Sequence, residues 1–438
     1  SYQHWTLASF LARARWDYQG KYYANIAMRT DGSSRLAAGN QWAFFPSGGV
    51  AWRISEEEFF GKREWLNSLK LRASYGAVGN SAIDPYQTIA GLSKYDYLFG
   101  EDAGNKFFAY RPSMIPNKDL GWEISRTANF GVDFGLWNNR ISGYIEGYIT
   151  KTSDLLMERT LPFFTGFSKV WQNIGKTENK GIELNIQANT LKTKSFSWET
   201  TVTFARNWNK ITELLGGGDI RNNSWFIGKP LQVHYNYEMI GVWQLGEEKE
   251  AQKYGAIPGD IKVKDQNNDG SIGELDKVIL GQKDPKIIAS LLNSFRFGAF
   301  DASINLNMNF GSLIHPNTYA SLITRDGLRW MPSNFKYWTP DNPTNEYTRA
   351  DKLSGYDPFA GTGGYMKGDY IKIQDITLGY DFSKIMPKNW KILRARLYAQ
   401  VRNLGYIYKA CKNDVSPEAP DFDYNIPTTY TMGINIDF

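Results

Sequence analysis

Apolar and polar residues alternate with a period of two along most of this chain, and this alternation constrains the fold more than any other feature. In FLARARWDY (10–18) every second residue is apolar or aromatic, with Arg13, Arg15 and Asp17 between them. The last nine residues, YTMGINIDF (430–438), repeat the pattern. Because successive side chains of a strand point to opposite faces, each such segment predicts a β-strand with one apolar and one polar face.

About thirteen such segments follow one another as hairpins. They span residues 10–18 and 22–30, 42–54 and 69–78, 127–136 and 140–150, 181–190 and 196–206, 286–297 and 300–310, 370–382 and 392–403, and finally 430–438. Short turns join the two members of each pair. Long polar segments separate one pair from the next, at about 79–124, 150–178, 210–285, 312–367 and 405–426. The sequence therefore predicts a series of antiparallel hairpins.

The polar faces distinguish a membrane barrel from a soluble protein. Strands of about ten residues can cross a bilayer when tilted. The cations that share the polar parity are Arg13, Arg15, Lys70, Arg72, Arg394, Arg396 and Arg402. Burying so many charges in a dry sandwich core is costly, whereas a hydrated or plug-filled lumen accepts them. We therefore predict an all-β fold, an antiparallel transmembrane outer-membrane β-barrel. A soluble all-β protein, such as stacked sandwiches or a propeller, is the alternative.

Composition is compatible with a membrane barrel. Aromatic residues make up 15% of the chain, and the mean hydropathy is −0.46. A transmembrane barrel places its rings in girdles and keeps polar residues inside, so a low mean hydropathy is no argument for solubility. No apolar run is long enough for a transmembrane helix.

The alternation of short and long connections predicts an orientation. Outer-membrane barrels have short periplasmic turns and long extracellular loops. We therefore expect a multi-pass protein of the bacterial outer membrane, with the long segments outside the cell and the C-terminus in the periplasm. Single-chain bacterial barrels have even strand numbers, and the first strand here would run inward. The sequence thus predicts the C-terminal portion of a longer barrel over residues 1–438.

Several classes of chemistry find no support in the sequence. Cys411 is the only cysteine, which excludes an intrachain disulfide and a cysteine-based zinc site. His4, His234 and His315 lie far apart in the chain, and we interpret each as structural or exposed. The net charge of +5 comes without a basic cluster of the kind that binds nucleic acid. No catalytic fingerprint occurs, so we do not expect an enzyme.

One segment predicts a metal site. DQNNDGSIGELD (265–276) places oxygen donors at the positions of an EF-hand-like calcium loop, with Gly270 at the sharp turn. The candidate ligands are Asp265, Asn267, Asp269, the Ser271 carbonyl and Asp276, with Asp260 as a further possibility. We expect a structural Ca2+ in an extracellular loop. The alternative is a polar, Asx-rich turn without a metal.

Tryptophans in the long segments are candidates for substrate binding. Trp225, Trp330 and Trp338 could stack on sugar rings or peptide side chains. They could equally pack the loops together or contact a lid protein. The structural interpretation is favoured.

A set of ordered blocks resembles the SusC-like class of TonB-dependent outer-membrane transporters. The blocks are RTDGSSRLAAGNQWAFFPSGGVAWRISEEEFF (29–60), LNSLKLRASYGAVGN (66–80), NIGKTENKGIELNI (173–186), PGDIKVKDQNNDGSIGELDKVILGQKDPK (258–286), YWTPDNPTNEYTRAD (337–351), GDYIKIQDITLGYDF (368–382) and the aromatic C-terminal strand. Leu36 and Thr348 depart from the usual pattern, where an aromatic residue and a proline are common.

The resemblance implies a plugged barrel of roughly 22 strands, of which this chain holds about thirteen. It implies a TonB box and a plug in an N-terminal portion, energy from the TonB complex, and a SusD-like surface lipoprotein as a lid. The implied substrates are oligosaccharides or peptides. Phe438 resembles the terminal aromatic residue that the outer-membrane assembly machinery reads, and the apolar face of the last strand would contact outer-membrane lipid.

Three function classes remain open on the sequence. The leading one is an energy-coupled nutrient importer. The second is a passive binding or adhesion barrel whose loops recognise a ligand that does not cross. The third is an outer-membrane barrel hydrolase, which would need a catalytic constellation at the rim.

Overall fold

The main element of the structure is an antiparallel sheet of 13 strands, in which sheet order follows chain order. The computed structural model describes residues 2–61, 63–98, 106–324, 336–349, 359, 361–387, 392–412, 415–420 and 426–437. The strands are β1 (Leu7–Tyr18), β2 (Tyr22–Ser33), β3 (Trp42–Arg53), β4 (Leu66–Asn80), β5 (Glu123–Leu136), β6 (Ile141–Ser153), β7 (Lys176–Lys192), β8 (Phe196–Glu213), β9 (Ile287–Phe297), β10 (Phe300–Phe310), β11 (Tyr370–Asp381), β12 (Arg394–Lys409) and β13 (Thr429–Asp437). The predicted hairpins and the all-β class are confirmed.

Shorter elements lie in the long connections. Five two-stranded ribbons pair Leu92–Leu98 with Lys106–Pro112, Leu156–Thr160 with Lys169–Asn173, Val233–Tyr237 with Lys277–Gln282, Met239–Val242 with Ile261–Val263, and Leu313–Ile314 with Met366–Lys367. The helices are α1 (Glu248–Lys253), α2 (Asn317–Thr324) and 3-10 turns at Ile54–Glu56, Glu58–Phe60, Phe163–Thr165, Arg221–Asn223, Glu274–Asp276 and Ser383–Ile385. None of the helices described is long and apolar enough to cross a membrane.

One face of the sheet exposes its apolar side chains. In β13, Tyr430 is 75% exposed, Met432 77% and Ile434 53%, while Thr431 and Gly433 lie on the opposite face. Such a surface is unfavourable in water and stable in an apolar medium. We call this side, which carries the apolar parity of the thirteen strands, the outward face.

Ion pairs occupy the opposite face, and glycines make room for them. In the first of two compact units, residues 1–186 with 207–231, Arg72 of β4 donates from Nε to Asp133 of β5 at 3.0 Å. It also forms an ion pair with Glu146 of β6. Gly131 lies opposite both Arg72 and Glu146 in the sheet. A Cβ there would lie 2.6 Å from the Arg72 guanidinium carbon, so the glycine lets the arginine cross β5.

The second unit, residues 187–206 with 232–438, repeats this arrangement. Arg396 of β12 reaches across β11 to Asp301 of β10, with an Nε–Oδ1 distance of 2.8 Å. Gly379 of β11 lies between them, and a Cβ there would be 2.5 Å from Arg396 Nη2. Arg72 and Arg396, two cations of the polar parity, therefore each have a carboxylate partner on the same face, which compensates their charge.

A small core anchors the connection between β4 and β5 in the first unit. Its buried members are Leu36, Ala37, Phe45, Ala77, Ile83, Leu120 and Trp122. The Trp122 indole N–H donates to the Gln41 carbonyl at 2.7 Å, and its ring meets Phe45 edge-on. Leu36, 2% exposed, fills the position where the SusC-like blocks usually carry an aromatic residue. This core thus packs the segments around residues 36 and 120 against β3, through Phe45.

Candidate functional site

A cavity of about 500 Å³ lies among the long connections of the second unit. Three separate connections contribute to it: the one between β8 and β9, the one between β10 and β11, and the one between β12 and β13. The apolar part of its lining includes Met239, Leu280, Leu313 and Met366. A cavity built from three long connections is a preformed binding space of the kind that ligands occupy in other proteins.

Two carboxylates line the cavity, and each forms an ion pair with a lysine, Glu346 with Lys412 and Glu238 with Lys264. Glu346 accepts from Lys412 Nζ at 2.7 Å and from the Tyr319 hydroxyl at 3.3 Å. Burial raises the pKa of Glu346, but these hydrogen bonds outweigh burial and the pKa is lowered. Glu238 accepts from Gln266 Nε2 at 2.9 Å, which lowers its pKa as well. Both groups are ionised at neutral pH, so the cavity combines an apolar lining with two lysine–carboxylate ion pairs.

Two histidines that are far apart in sequence meet beside this cavity. The rings of His234 and His315 are 6.2 Å apart, and each packs on Tyr365. Nε2 of His234 donates to the Leu313 carbonyl at 2.9 Å, and Nε2 of His315 donates to the Gly363 carbonyl at 3.1 Å. The interpretation of both as structural residues fits these contacts. Their separation in sequence gave no sign that they are neighbours.

Burial sets the protonation state of His234. It lowers the pKa of His234 to about 4, and the charge of Lys283 adds to the effect. His234 is therefore neutral at physiological pH, with its proton on Nε2. Through these hydrogen bonds and their packing on Tyr365, the two imidazoles connect the segments around residues 313 and 363 to the ribbon strand Val233–Tyr237.

The predicted calcium loop forms a tight turn in which the carboxylates accept backbone N–H groups. Asp265 accepts from Asn268 N at 2.6 Å and from Gly270 N at 2.9 Å. Asp276 is 1% exposed and accepts from Gln266 N and Gly273 N. Gly270 has φ +85°, the left-handed conformation expected at the sharp turn. Among the described residues, no three His, Cys, Asp or Glu side chains are gathered as metal ligands.

The other two predicted ligand side chains hydrogen-bond each other. Asn267 Nδ2 donates to Asp269 Oδ2 at 2.9 Å, and Asp269 Oδ1 accepts from the Ser271 amide and hydroxyl, both at 2.8 Å. Tyr254 also places its hydroxyl 3.3 Å from Asp265. In this structure the oxygens of Asp265, Asn267 and Asp269 thus accept hydrogen bonds from within the loop.

The candidate tryptophans have different surroundings. Trp338 is 6% exposed, and its indole N–H donates to Gln244 Oε1 at 2.9 Å. Trp225 is half-buried in a turn where its backbone exchanges two hydrogen bonds with Ile220. Trp330 lies outside the described residues. Packing between loops accounts for the contacts of Trp338, and substrate binding by the three tryptophans stays a prediction.

Comparison with known proteins gives a consistent set of matches. A family model described as TonB dependent receptor-like, beta-barrel, matches residues 1–404. TonB-dependent receptor P26 of Formosa agariphila is 30% identical over 474 residues, which is 100% of this chain and 46% of that protein. TonB-dependent receptor SusC of Bacteroides thetaiotaomicron is 29% identical over 99% of this chain and 44% of its own length. The chain therefore spans about half the length of these relatives.

The fold also matches a solved structure. The structure of the RagAB peptide transporter aligns with a TM-score of 0.81 and 24% identity, covering 99% of this chain and 48% of that one. At this level of identity the similarity concerns the fold.

Proposed function

The chain belongs to the TonB-dependent receptor-like β-barrel family, and from this membership we propose that it forms the C-terminal part of the barrel of an outer-membrane nutrient importer. The family match over residues 1–404 carries the proposal. The relatives' greater length supports an N-terminal portion with plug and TonB box, and a complete barrel of roughly 22 strands.

In this proposal the two faces of the sheet have separate tasks. The outward face contacts outer-membrane lipid. The opposite face, with paired groups such as Arg72 and Asp133, lines a hydrated lumen around the plug. The TonB complex supplies energy through the N-terminal portion, so this chain contributes the wall and the mouth of the transporter and catalyses no reaction.

The long connections form the extracellular mouth, and the short turns and the C-terminus lie in the periplasm. A SusD-like surface lipoprotein covers the mouth, as the SusC-like sequence blocks imply. Oligosaccharides or peptides enter between the two proteins. The cavity lined by Glu238, Glu346 and Lys412 is then a contact point for substrate or lid at the mouth.

The test is to identify the polypeptides that accompany this chain in the outer membrane. Native electrophoresis and denatured intact mass are measured on the purified complex. The proposal expects the sequence within a polypeptide, or a pair of polypeptides, about twice its length, together with a lipoprotein, and uptake that stops without TonB. Migration of this chain alone as a folded membrane protein would contradict the proposal. Binding that needs neither TonB nor a lid would indicate an adhesion barrel.

We also propose that the 265–276 segment binds a structural Ca2+. The ligands would be Asp265, Asn267, Asp269, the Ser271 carbonyl and Asp276, donors of the hard oxygen type that Ca2+ prefers. Each carboxylate oxygen that accepts one N–H retains a second acceptor position, so the backbone contacts do not exhaust the donor set. Binding would draw the acidic side chains together.

Terbium luminescence tests this site, because Tyr254 lies beside Asp265 and can sensitise the lanthanide. We expect emission that Ca2+ displaces and that Asp265→Asn with Asp269→Asn abolishes. The control variant, Asp284→Asn, lies in the same connection outside the loop. Equal emission from all three proteins would refute the calcium site.

A further inference from the structure

Five cations cluster on the outward face of the first unit, where apolar residues would be expected. They are Arg126 of β5, Lys151 of β6, Lys176 and Lys180 of β7, and Lys210 of β8, all exposed. By strand parity they share a face with Phe130, Ile149 and Trp208, which are also exposed. They lie toward the strand ends that meet the long connections. We call this set the cationic rim.

Two members of the cationic rim lie directly opposite each other without a carboxylate. Arg126 and Lys151 are cross-strand partners in the register of β5 and β6. Like charges in this position destabilise a sheet. Within the residues the structure describes, neither takes part in an ion pair, and the contact of Arg126 is with the Ser153 hydroxyl at 3.4 Å. An anion between them would remove the repulsion.

The other three cations are only partly compensated. Lys176 pairs with Glu213 at 2.7 Å, and Glu178 lies 3.1 Å from Lys180 and 3.3 Å from Lys210. Asp154 adds one more carboxylate near Lys176. Five cations thus face three carboxylates, and the excess positive charge falls on Arg126 and Lys151.

The outward face beside the cationic rim is grooved. One cavity of about 700 Å³ joins Arg126, Lys151 and Lys176 to the apolar surface of Tyr75, Ala128 and Ile149. A second, of about 730 Å³, shares Ala128 and Ile149 and continues along Phe130, Ile182 and Trp208. Gly147, opposite Phe130, leaves an open position in its wall. The groove is therefore complementary to an amphiphilic molecule, because it has charged residues at one end and apolar walls at the other.

Depth places the charged end at a membrane boundary. On β6 the outward positions from Ile141 to Ile149 are apolar, and Lys151 follows. Eight residues correspond to roughly 26 Å along a strand. At the usual barrel tilt of about 40° this length spans about 20 Å of the membrane normal, which is most of an apolar band about 25 Å tall. Lys151 therefore lies where lipid headgroups begin, on the side of the long connections.

We propose that the cationic rim and its groove bind an anionic lipid of the outer leaflet, with a phosphate between Arg126 and Lys151 and an acyl chain along Ala128, Ile149 and Phe130. This inference rests on the proposed orientation, in which the long connections are extracellular. The occupant is a membrane lipid and not a soluble anion, because the apolar groove continues directly from the charged pair.

The experiment uses the full-length transporter in detergent, with purified lipopolysaccharide as the probe. The test variant is Arg126→Gln with Lys151→Gln. The matched control is Lys192→Gln with Lys194→Gln, which removes two exposed cations at the short turn between β7 and β8. Dissociation constants come from titration with a fluorescent lipopolysaccharide. At about 1 kcal/mol per basic residue, the test variant should bind about 30-fold more weakly, and the control should match the wild type.

Two further measurements distinguish a lipid site from a site for a soluble anion. Inorganic phosphate and the deacylated headgroup are used as competitors, and weak competition by both is expected. Thermal unfolding is followed with and without lipid: the wild type should gain stability from lipid, and the test variant should gain little. Equal binding by test and control variants, or full competition by the deacylated headgroup, would overturn the lipid site. TonB-dependent uptake is measured separately, so a failed lipid site leaves the import proposal intact.

Discussion

Removal of the Glu418 carboxylate should open the connection between β12 and β13. Lys372 of β11 is 3% exposed, and its Nζ lies 2.7 Å from Glu418 Oε2. The same oxygen accepts from the Tyr406 hydroxyl at 2.8 Å, and that hydroxyl lies 3.1 Å from Ser416. Glu418 is therefore the only group of the described segment 415–420 that brings a charge to the sheet, beside the hydrogen bond from Lys409 to the Val415 carbonyl at 3.0 Å.

Removing Glu418 and removing Lys372 should lower the free energy of unfolding by different amounts. Glu418→Gln leaves a buried ammonium without a counter-charge, which costs about 3–5 kcal/mol. Lys372→Met leaves a carboxylate that is 21% exposed and still accepts from Tyr406, so the loss should be about 1 kcal/mol. The double variant has no buried charge and should resemble Lys372→Met. Glu418→Gln should therefore be the most destabilising of the three variants, and the other two should be alike.

Hydrogen exchange of residues 415–420 in the full-length protein measures local opening. Glu418→Gln should lower protection by more than about 100-fold, which corresponds to 3 kcal/mol or more. Glu250→Gln is the control, because its pair with Lys253 has both side chains about 60% exposed and should contribute little. Equal losses for Glu418→Gln and Lys372→Met would refute the argument from desolvation, since it requires the asymmetry.

Acid should weaken the contact between His234 and the segment around residue 313, because the folded-state pKa of His234 is about 4 and the unfolded value is near 6.5. Its stabilisation is full above pH 6.5 and is lost as the pH falls toward 4, by less than about 3 kcal/mol because solvent screens the partly exposed ring; His234→Gln should remove this pH dependence of loop proteolysis between pH 7.5 and 5. Gly379→Ala should push Arg396 away from Asp301 and cost about 2 kcal/mol in thermal unfolding. Gly147→Ala, whose methyl would meet nothing closer than 3.9 Å, should cost less, and equal costs would contradict the steric reasoning.

Strands and faces could be predicted from the sequence because they depend on local information. The period of two fixes which side chains share a face, and a short turn such as 298–299 fixes which strands are neighbours. Lys70 and Asp133, for example, lie opposite in the register and carry opposite charges. The order of hairpins then determines the sheet.

The loop site could not be predicted, since its contacts join distant connections. Glu346 and Lys412 belong to different connections, and no periodicity relates them. The same holds for His234 and His315. The glycines of the polar face show an intermediate case: Gly131 is visible in sequence, but its purpose appears only when Arg72 is seen to cross it. Side-chain reach across two strands is a property of the folded sheet.

The outward face carries a signal of membrane depth that the sequence pattern already contained. Near the short turns, exposed aromatic residues continue the apolar parity, as Phe297 and Phe300 do. Near the long connections of β5 and β6 the same parity changes to Arg126 and Lys151. Both kinds of residue suit an interface, but cations directly opposite each other on a sheet need an anion nearby. In the proposed orientation, the break in the apolar parity at Arg126 and Lys151 marks the boundary of the bilayer on the side of the long connections, and the charges at that break indicate the chemistry of the lipid that we propose beside it.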